Sequence, residues 1–138
     1  MRSGIPHTPG WFPMAVQALV AIAGTEGHCS SAAMAHDLNA HAVFVRRVLA
    51  QLARANIVQA REGRDGGYRL AHSADQITLA EVYQAVKVAD AAEDAACGGV
   101  NARVRGVLDE IEAEAEQHLL EVLGQHTLAS VLERVTTS

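Results

Sequence analysis

Residues 39–70 read NAHAVFVRRVLAQLARANIVQAREGRDGGYRL, and the pattern of this stretch decides the fold. Val45, Val48, Leu49 and Leu52 recur at helical spacing and make one apolar stripe. Val43, Arg46, Arg47, Ala50 and Arg54 then fall on the opposite face, which is cationic or small and carries no acid. Asn39 is a favourable N-cap for a helix beginning at Ala40, and Asn56 followed by Ile57 marks the passage to extended chain. Ile57–Arg61 and Tyr68–Leu70 read as two strands. Gly63-Arg64-Asp65-Gly66-Gly67 between them is hairpin chemistry with Arg64 at the tip. A helix with a cationic outer face that feeds a tipped hairpin predicts a winged helix.

Upstream, Phe12, Ala15, Val16, Leu19, Ile22 and Ala23 follow helical spacing, with Gly24 as a stop. The apolar run Met14–Ala23 is too short to span a bilayer, is interrupted near Pro13 and Gln17, and makes better sense as a core helix than as a signal segment. Before it, Met1–Gly10 reads as a loose arm. After Gly27, Ser30 or Ser31 caps a short helix with Ala33, Met34 and Leu38 inward. Asp37-Leu38-Asn39 is then a tight turn into the basic helix. Two helices so joined predict a helix-turn-helix whose second helix enters the major groove of DNA.

Charge distribution supports that reading. The chain has 138 residues and a net charge of −5, which would disfavour nucleic acid if it were evenly spread. From His41 to His72, however, six arginines (Arg46, Arg47, Arg54, Arg61, Arg64 and Arg69) face only Glu62 and Asp65, a local +4 that leaves −9 for the rest. A basic block in an acidic chain is the footprint of a phosphate-binding surface. Aromatic residues make up only 4% of the chain, so Ala, Val and Leu must fill the core.

Downstream, Thr78-Leu79-Ala80-Glu81 is a capping box that opens a helix with Leu79, Val82, Tyr83 and Val86 inward. Residues 88–100 lose periodicity and gather acids and glycines, as a loop does. Val104, Leu108, Ile111, Ala115, Leu119 and Val122 then keep a near-heptad spacing, while Asp109, Glu110, Glu112, Glu114, Glu116 and Glu121 face water. So long a stripe predicts a homodimer helix. Gly124 ends it, and Leu128, Val131, Leu132 and Val135 make a last helix expected to pack back on the seam. The expected architecture is mainly α with a small β-hairpin. It divides into a winged helix-turn-helix domain over 1–87, a loop over 88–100 and a helical dimerisation region with a long helix over 101–138.

Cys29 and Cys97 are the only cysteines and form no CxxC pair, so neither a disulfide framework nor a structural zinc site is indicated, and a cytoplasmic setting is expected. His28, Cys29 and His36 match no standard metal spacing. No metal or other cofactor is expected. No nucleophile, base and oxyanion donor converge on any motif, so an enzyme is not expected either.

The stretch NAHAVFVRRVLAQLARANIV, followed by GRDGGYRL and ITLAEVYQAV, resembles the Rrf-two family of bacterial transcriptional regulators, closest to its YwnA-like, cluster-free branch. Asn39, Val45, Arg46 and Arg47 match that branch's recognition-helix motif, and Cys97-Gly98-Gly99 resembles the cysteine segment before its dimer helix. The resemblance implies a dimeric winged-helix binder of double-stranded DNA, often a repressor, that senses redox state, nitric oxide or iron–sulfur status. Together with the cationic helix face and the wing, it gives the expected DNA contacts: Asn39, His41, Val43, Arg46, Arg47 and Arg54 on the recognition helix and Arg61 and Arg64 on the wing. Cys97, or Cys29, is the redox-sensing candidate. Two departures stand out: Ala40 replaces a customary proline, and Glu62 occupies a wing position where cluster-binding relatives often carry arginine. Cluster-sensing members place three cysteines before the long helix, whereas this chain has one there. An iron–sulfur sensor using Cys97 with His or acid ligands is thus an alternative, as is a winged-helix module that binds protein without DNA.

Overall fold

The computed structural model describes residues 10–25, 29–39, 41–63, 66–94 and 101–137, with backbone alone over 88–94. Six helices and one hairpin follow in the order α1 (Trp11–Ala23), α2 (Ser31–Asp37), α3 (Ala42–Arg54), β1 (Val58–Arg61), β2 (Gly67–Leu70), α4 (Leu79–Asp94), α5 (Ala102–Gly124) and α6 (Leu128–Thr137), with a 3-10 turn at Ala74–Gln76. The mainly helical winged helix-turn-helix expected from the sequence is the fold observed.

The core forms where the apolar stripes of α1, α3 and α4 meet. Ala15, Ala18 and Leu19 of α1, Val45, Val48, Leu49 and Leu52 of α3, and Val82 and Val86 of α4 are completely buried. Small side chains on α1 let the three helices approach closely, and two edge-to-face aromatic pairs fix their orientation. Trp11 meets Phe44 at 5.4 Å between centroids, and Phe12 meets Tyr83 at 5.7 Å. In α2 the inward residues are Met34 and Ala35, whereas Ala33, expected inside, is exposed. Ser30 is its cap, and its Oγ accepts from the Ala33 N–H at 3.1 Å.

The end of α3 is set by Asn56, whose φ of +62° is the left-handed conformation asparagine tolerates. The Ile57 N–H donates to the Leu52 carbonyl at 2.9 Å and the Asn56 N–H to Ala53 at 3.0 Å, the paired bonds of a Schellman stop, with Leu52 and Ile57 buried beneath it. The chain leaves directly into β1. Antiparallel pairing sets Val58 opposite Leu70, Gln59 opposite Arg69, Ala60 opposite Tyr68 and Arg61 opposite Gly67. Cys29 adds a third strand position, since it and Tyr68 exchange backbone hydrogen bonds at 2.8 and 2.9 Å. Gly67 (φ +145°) must lack a side chain there, because a Cβ would lie 2.7 Å from the Cys29 carbonyl. At Gly66 a Cβ would collide with the Arg61 carbonyl oxygen.

The C-terminal half departs from expectation in three ways. Helix α4 continues to Asp94, so the first seven residues of the stretch expected as a loop over 88–100 are helical, and 95–100 lie outside the described residues. The last helix does not lie along the seam. It returns to the winged helix and packs on α1 and the 3-10 turn, with Leu128 fully buried. Two backbone hydrogen bonds tie it down, Leu79 N–H to His126 at 3.0 Å and Leu128 N–H to Ile77 at 2.8 Å. These bonds join the segment before α4 to the segment before α6. Finally, the seam of α5 is split between core and solvent. Leu119, Leu120 and Leu123 turn onto the core, whereas Val104, Val107, Leu108, Ile111 and Val122 keep 38–57% of their surface exposed. Glu116, expected in open water, accepts from Lys87 Nζ of α4 at 2.6 Å, with both side chains about two-thirds covered.

Candidate nucleic-acid interface

Helix α3 presents a surface of one character. Val43, Arg46, Arg47, Ala50 and Arg54 are all exposed, and the sequence of the helix holds no acid. The apolar stripe anchored in the core points these five outward, since positions 43, 46, 47, 50 and 54 share one helical face. Among the described residues, no carboxylate pairs with Arg46, Arg47, Arg54, Arg61 or Arg69. Guanidinium groups of this kind bind phosphate or a guanine edge.

The N-terminus of α3 differs from expectation. His41, not Asn39, occupies the cap position, and the helix starts at Ala42 rather than Ala40. Asn39 takes a left-handed φ of +53° and closes the turn out of α2 by donating its N–H to the His36 carbonyl at 3.2 Å. It turns the chain at this point, a position that a capping motif read from sequence does not distinguish from a true N-cap. The His41 side chain makes no capping hydrogen bond and is exposed beside the first turn. The Val45 N–H is satisfied by the His41 carbonyl at 3.1 Å.

On the wing, Gln59, Arg61 and Arg69 share the outer face of the hairpin and line a shallow depression of about 340 Å³ together with Ala60. Arg69 donates from Nε to Gln59 Oε1 at 3.0 Å, which holds its guanidinium over the cross-strand partner. Neither Gln59 nor Arg69 is on the list of contacts implied by the sequence. Their pairing depends on register, and the alternation of the two strands, with the turn length, was the signal that could have revealed it. The turn is marked by the Gly66 N–H donating to the Gly63 carbonyl at 3.1 Å. Arg64, expected at the tip, lies outside the described residues.

Cys29 is part of the core, 7% exposed, with Sγ 3.9 Å from its own neighbour's carbonyl at Ser30. It is the buried thiol of a β-bridge and not an accessible sensor. Cys97 lies outside the described residues. Among the described residues, no three His, Cys, Asp or Glu side chains come together as a metal site. No helix there is long and apolar enough to cross a membrane.

A basic recognition helix behind a helix-turn-helix, flanked by a basic wing, defines a DNA-binding protein of the winged-helix class. The match to a family model is specific: residues 11–134 match Rrf2, described as an iron-dependent transcriptional regulator, and the chain belongs to the Rrf2 family. It is a DNA-binding transcriptional regulator and not an enzyme. Solved structures agree on the fold. IscR of T. potens is 21% identical with a TM-score of 0.69, over 96% of this chain and 89% of that one. CymR of Staphylococcus aureus in its oxidized form is 16% identical with a TM-score of 0.68, over 93% and 97%. CymR of B. subtilis, the global cysteine regulator of that organism, is 18% identical with a TM-score of 0.69, over 94% and 98%. No curated protein matches the sequence.

The iron in the family's description can be tested against this chain. Clusters are held by several thiolates, and this chain has two cysteines, one of them sealed in the core beneath the wing. The described residues do not fit an iron–sulfur site.

Proposed function

We propose that the protein is a homodimeric repressor acting in the cytoplasm on double-stranded DNA. Helix α3 reads the major groove through His41, Val43, Arg46 and Arg47, while Arg54 and the wing arginines Arg61 and Arg64 hold the backbone and minor groove. The observation that carries this reading is the acid-free outer face of α3 between a buried stripe and a basic wing. The exposed apolar residues of α5 supply the dimer contact, which would put two recognition helices about a twofold axis. Bound across an operator, such a dimer blocks access by exclusion. A thiol response would fall on Cys97, because the other cysteine is buried; CymR, one of the similar proteins, was solved in an oxidized form.

The test is selection of binding sites from random duplex DNA, with the mass of the complex measured alongside. The expected result is a site with a dyad, bound by two chains, with affinity falling steeply in salt as arginines displace counterions. Selected DNA without a dyad, or salt-independent binding, would refute the reading. Diamide treatment of wild type, Cys29→Ser and Cys97→Ser tests the switch. An oxidant response that survives Cys97→Ser would remove that residue from it.

A further inference from the structure

Among the described residues, large exposed apolar side chains are concentrated on α5 and α6, with one exception: Val43, 60% exposed, in the first turn of α3. A solitary surface valine is ordinary in itself. Its position is what gives it meaning. It lies one turn ahead of Arg46 and Arg47 on the same helical face, next to the exposed His41, on a helix that carries no acid. In a helix-turn-helix, the N-terminal residues of the recognition helix are those that reach base edges. The arginines beside it can be met by guanine or phosphate oxygens, but a branched alkyl group has no polar partner there. The one apolar feature that a base presents in the major groove is the C5-methyl of thymine.

We propose that Val43 is a specificity-determining residue that packs on a thymine methyl in each half-site. This rests on the DNA-binding reading above and adds the identity of one base. The contact is nonpolar and close to the helix start, so it selects thymine over cytosine through the methyl while Arg46 and Arg47 supply charge and polar readout. Because Val43 takes no part in the core, its replacement changes recognition without touching the fold.

The experiment uses the duplex selected by the full chain, with each thymine replaced singly by deoxyuridine, which pairs identically but lacks the methyl. One thymine per half-site should be sensitive, wild-type binding weakening roughly fourfold when it loses its methyl, the size of one buried methyl group. With Val43→Ala, binding to the thymine duplex should fall and the thymine-to-uracil difference at that position should largely vanish, with the circular dichroism spectrum unchanged. Selected DNA whose thymines can all become uracil without loss in the wild type overturns the Val43 proposal alone. So does a methyl effect that persists undiminished in Val43→Ala. Absence of any sequence preference overturns it together with the DNA-binding reading.

Discussion

Helices α3 and α5 carry equally regular apolar stripes, yet the fold buries one completely and leaves much of the other in water. In α3 the stripe Val45, Val48, Leu49 and Leu52 is sealed by α1 and α4, so the face left to solvent is the opposite, cationic one. In α5, Val104, Val107, Leu108 and Ile111 keep 38–57% of their surface exposed among the described residues, and this is the face proposed above for the dimer contact. The difference teaches that an amphipathic pattern defines a face to be covered but not what covers it. For α3 the cover comes from α1 and α4, and the short turn after α2 and the Schellman stop at Asn56 hold the helix against them. For α5, among the described residues, the last turns reach that core through Leu119, Leu120 and Leu123.

Matched substitutions on the two stripes should break in opposite ways. Ile111→Asp should abolish the dimer, since a carboxylate in an apolar contact is very costly to desolvate, while the monomer keeps its helical spectrum; sedimentation equilibrium reads this directly. If Ile111→Asp unfolds the chain instead, the stripe is intrachain core and the contrast fails. Leu49→Ala should lower unfolding stability by about 2–5 kcal/mol in urea titration, from lost burial and the cavity left behind. Outer-face changes should spare stability altogether. Arg46→Ala and Arg47→Ala should each cost about 1–3 kcal/mol of specific binding where the side chain holds a base edge. Arg69→Ala, on the wing, should weaken binding evenly across sequences and reduce the salt slope by about one. Binding isotherms that do not change for any of the three would move the interface off α3 and the wing.

Smaller effects sharpen the picture of how α5 is joined to the winged helix. The Thr78 Oγ1 accepts from the Glu81 N–H at 3.2 Å while Glu81 Oε2 accepts from the Thr78 N–H at 3.4 Å, so the capping box expected from the sequence is formed. Thr78→Ala should cost about 1 kcal/mol of thermal or urea stability. The smallest change belongs to Lys87→Ala. Its pair with Glu116 is a third exposed, and losing it should cost less than about 1 kcal/mol, an effect that fades in high salt.

Much of this was legible in the chain because local rules acted alone. The buried stripe of α3, the capping box at Thr78, the hairpin bounded by glycines and the cationic face are all consequences of period and side-chain chemistry over a few residues. Tertiary structure decided the rest. Asn39 turns the chain rather than capping it, because the preceding helix already ends at Asp37 and a left-handed residue was needed there. Cys29 is sealed because Tyr68, far away in sequence, pairs with its backbone. Arg69 faces Gln59 because register, a non-local property, put it there. Helix α6 returns to α1 because residues 126–128 pair with 77–79, a contact between segments about fifty positions apart that no periodicity encodes. Sequence by itself determined which faces are apolar and which are charged, since those are properties of side chains at fixed spacing. Which apolar face finds cover within the chain is decided only when distant segments meet.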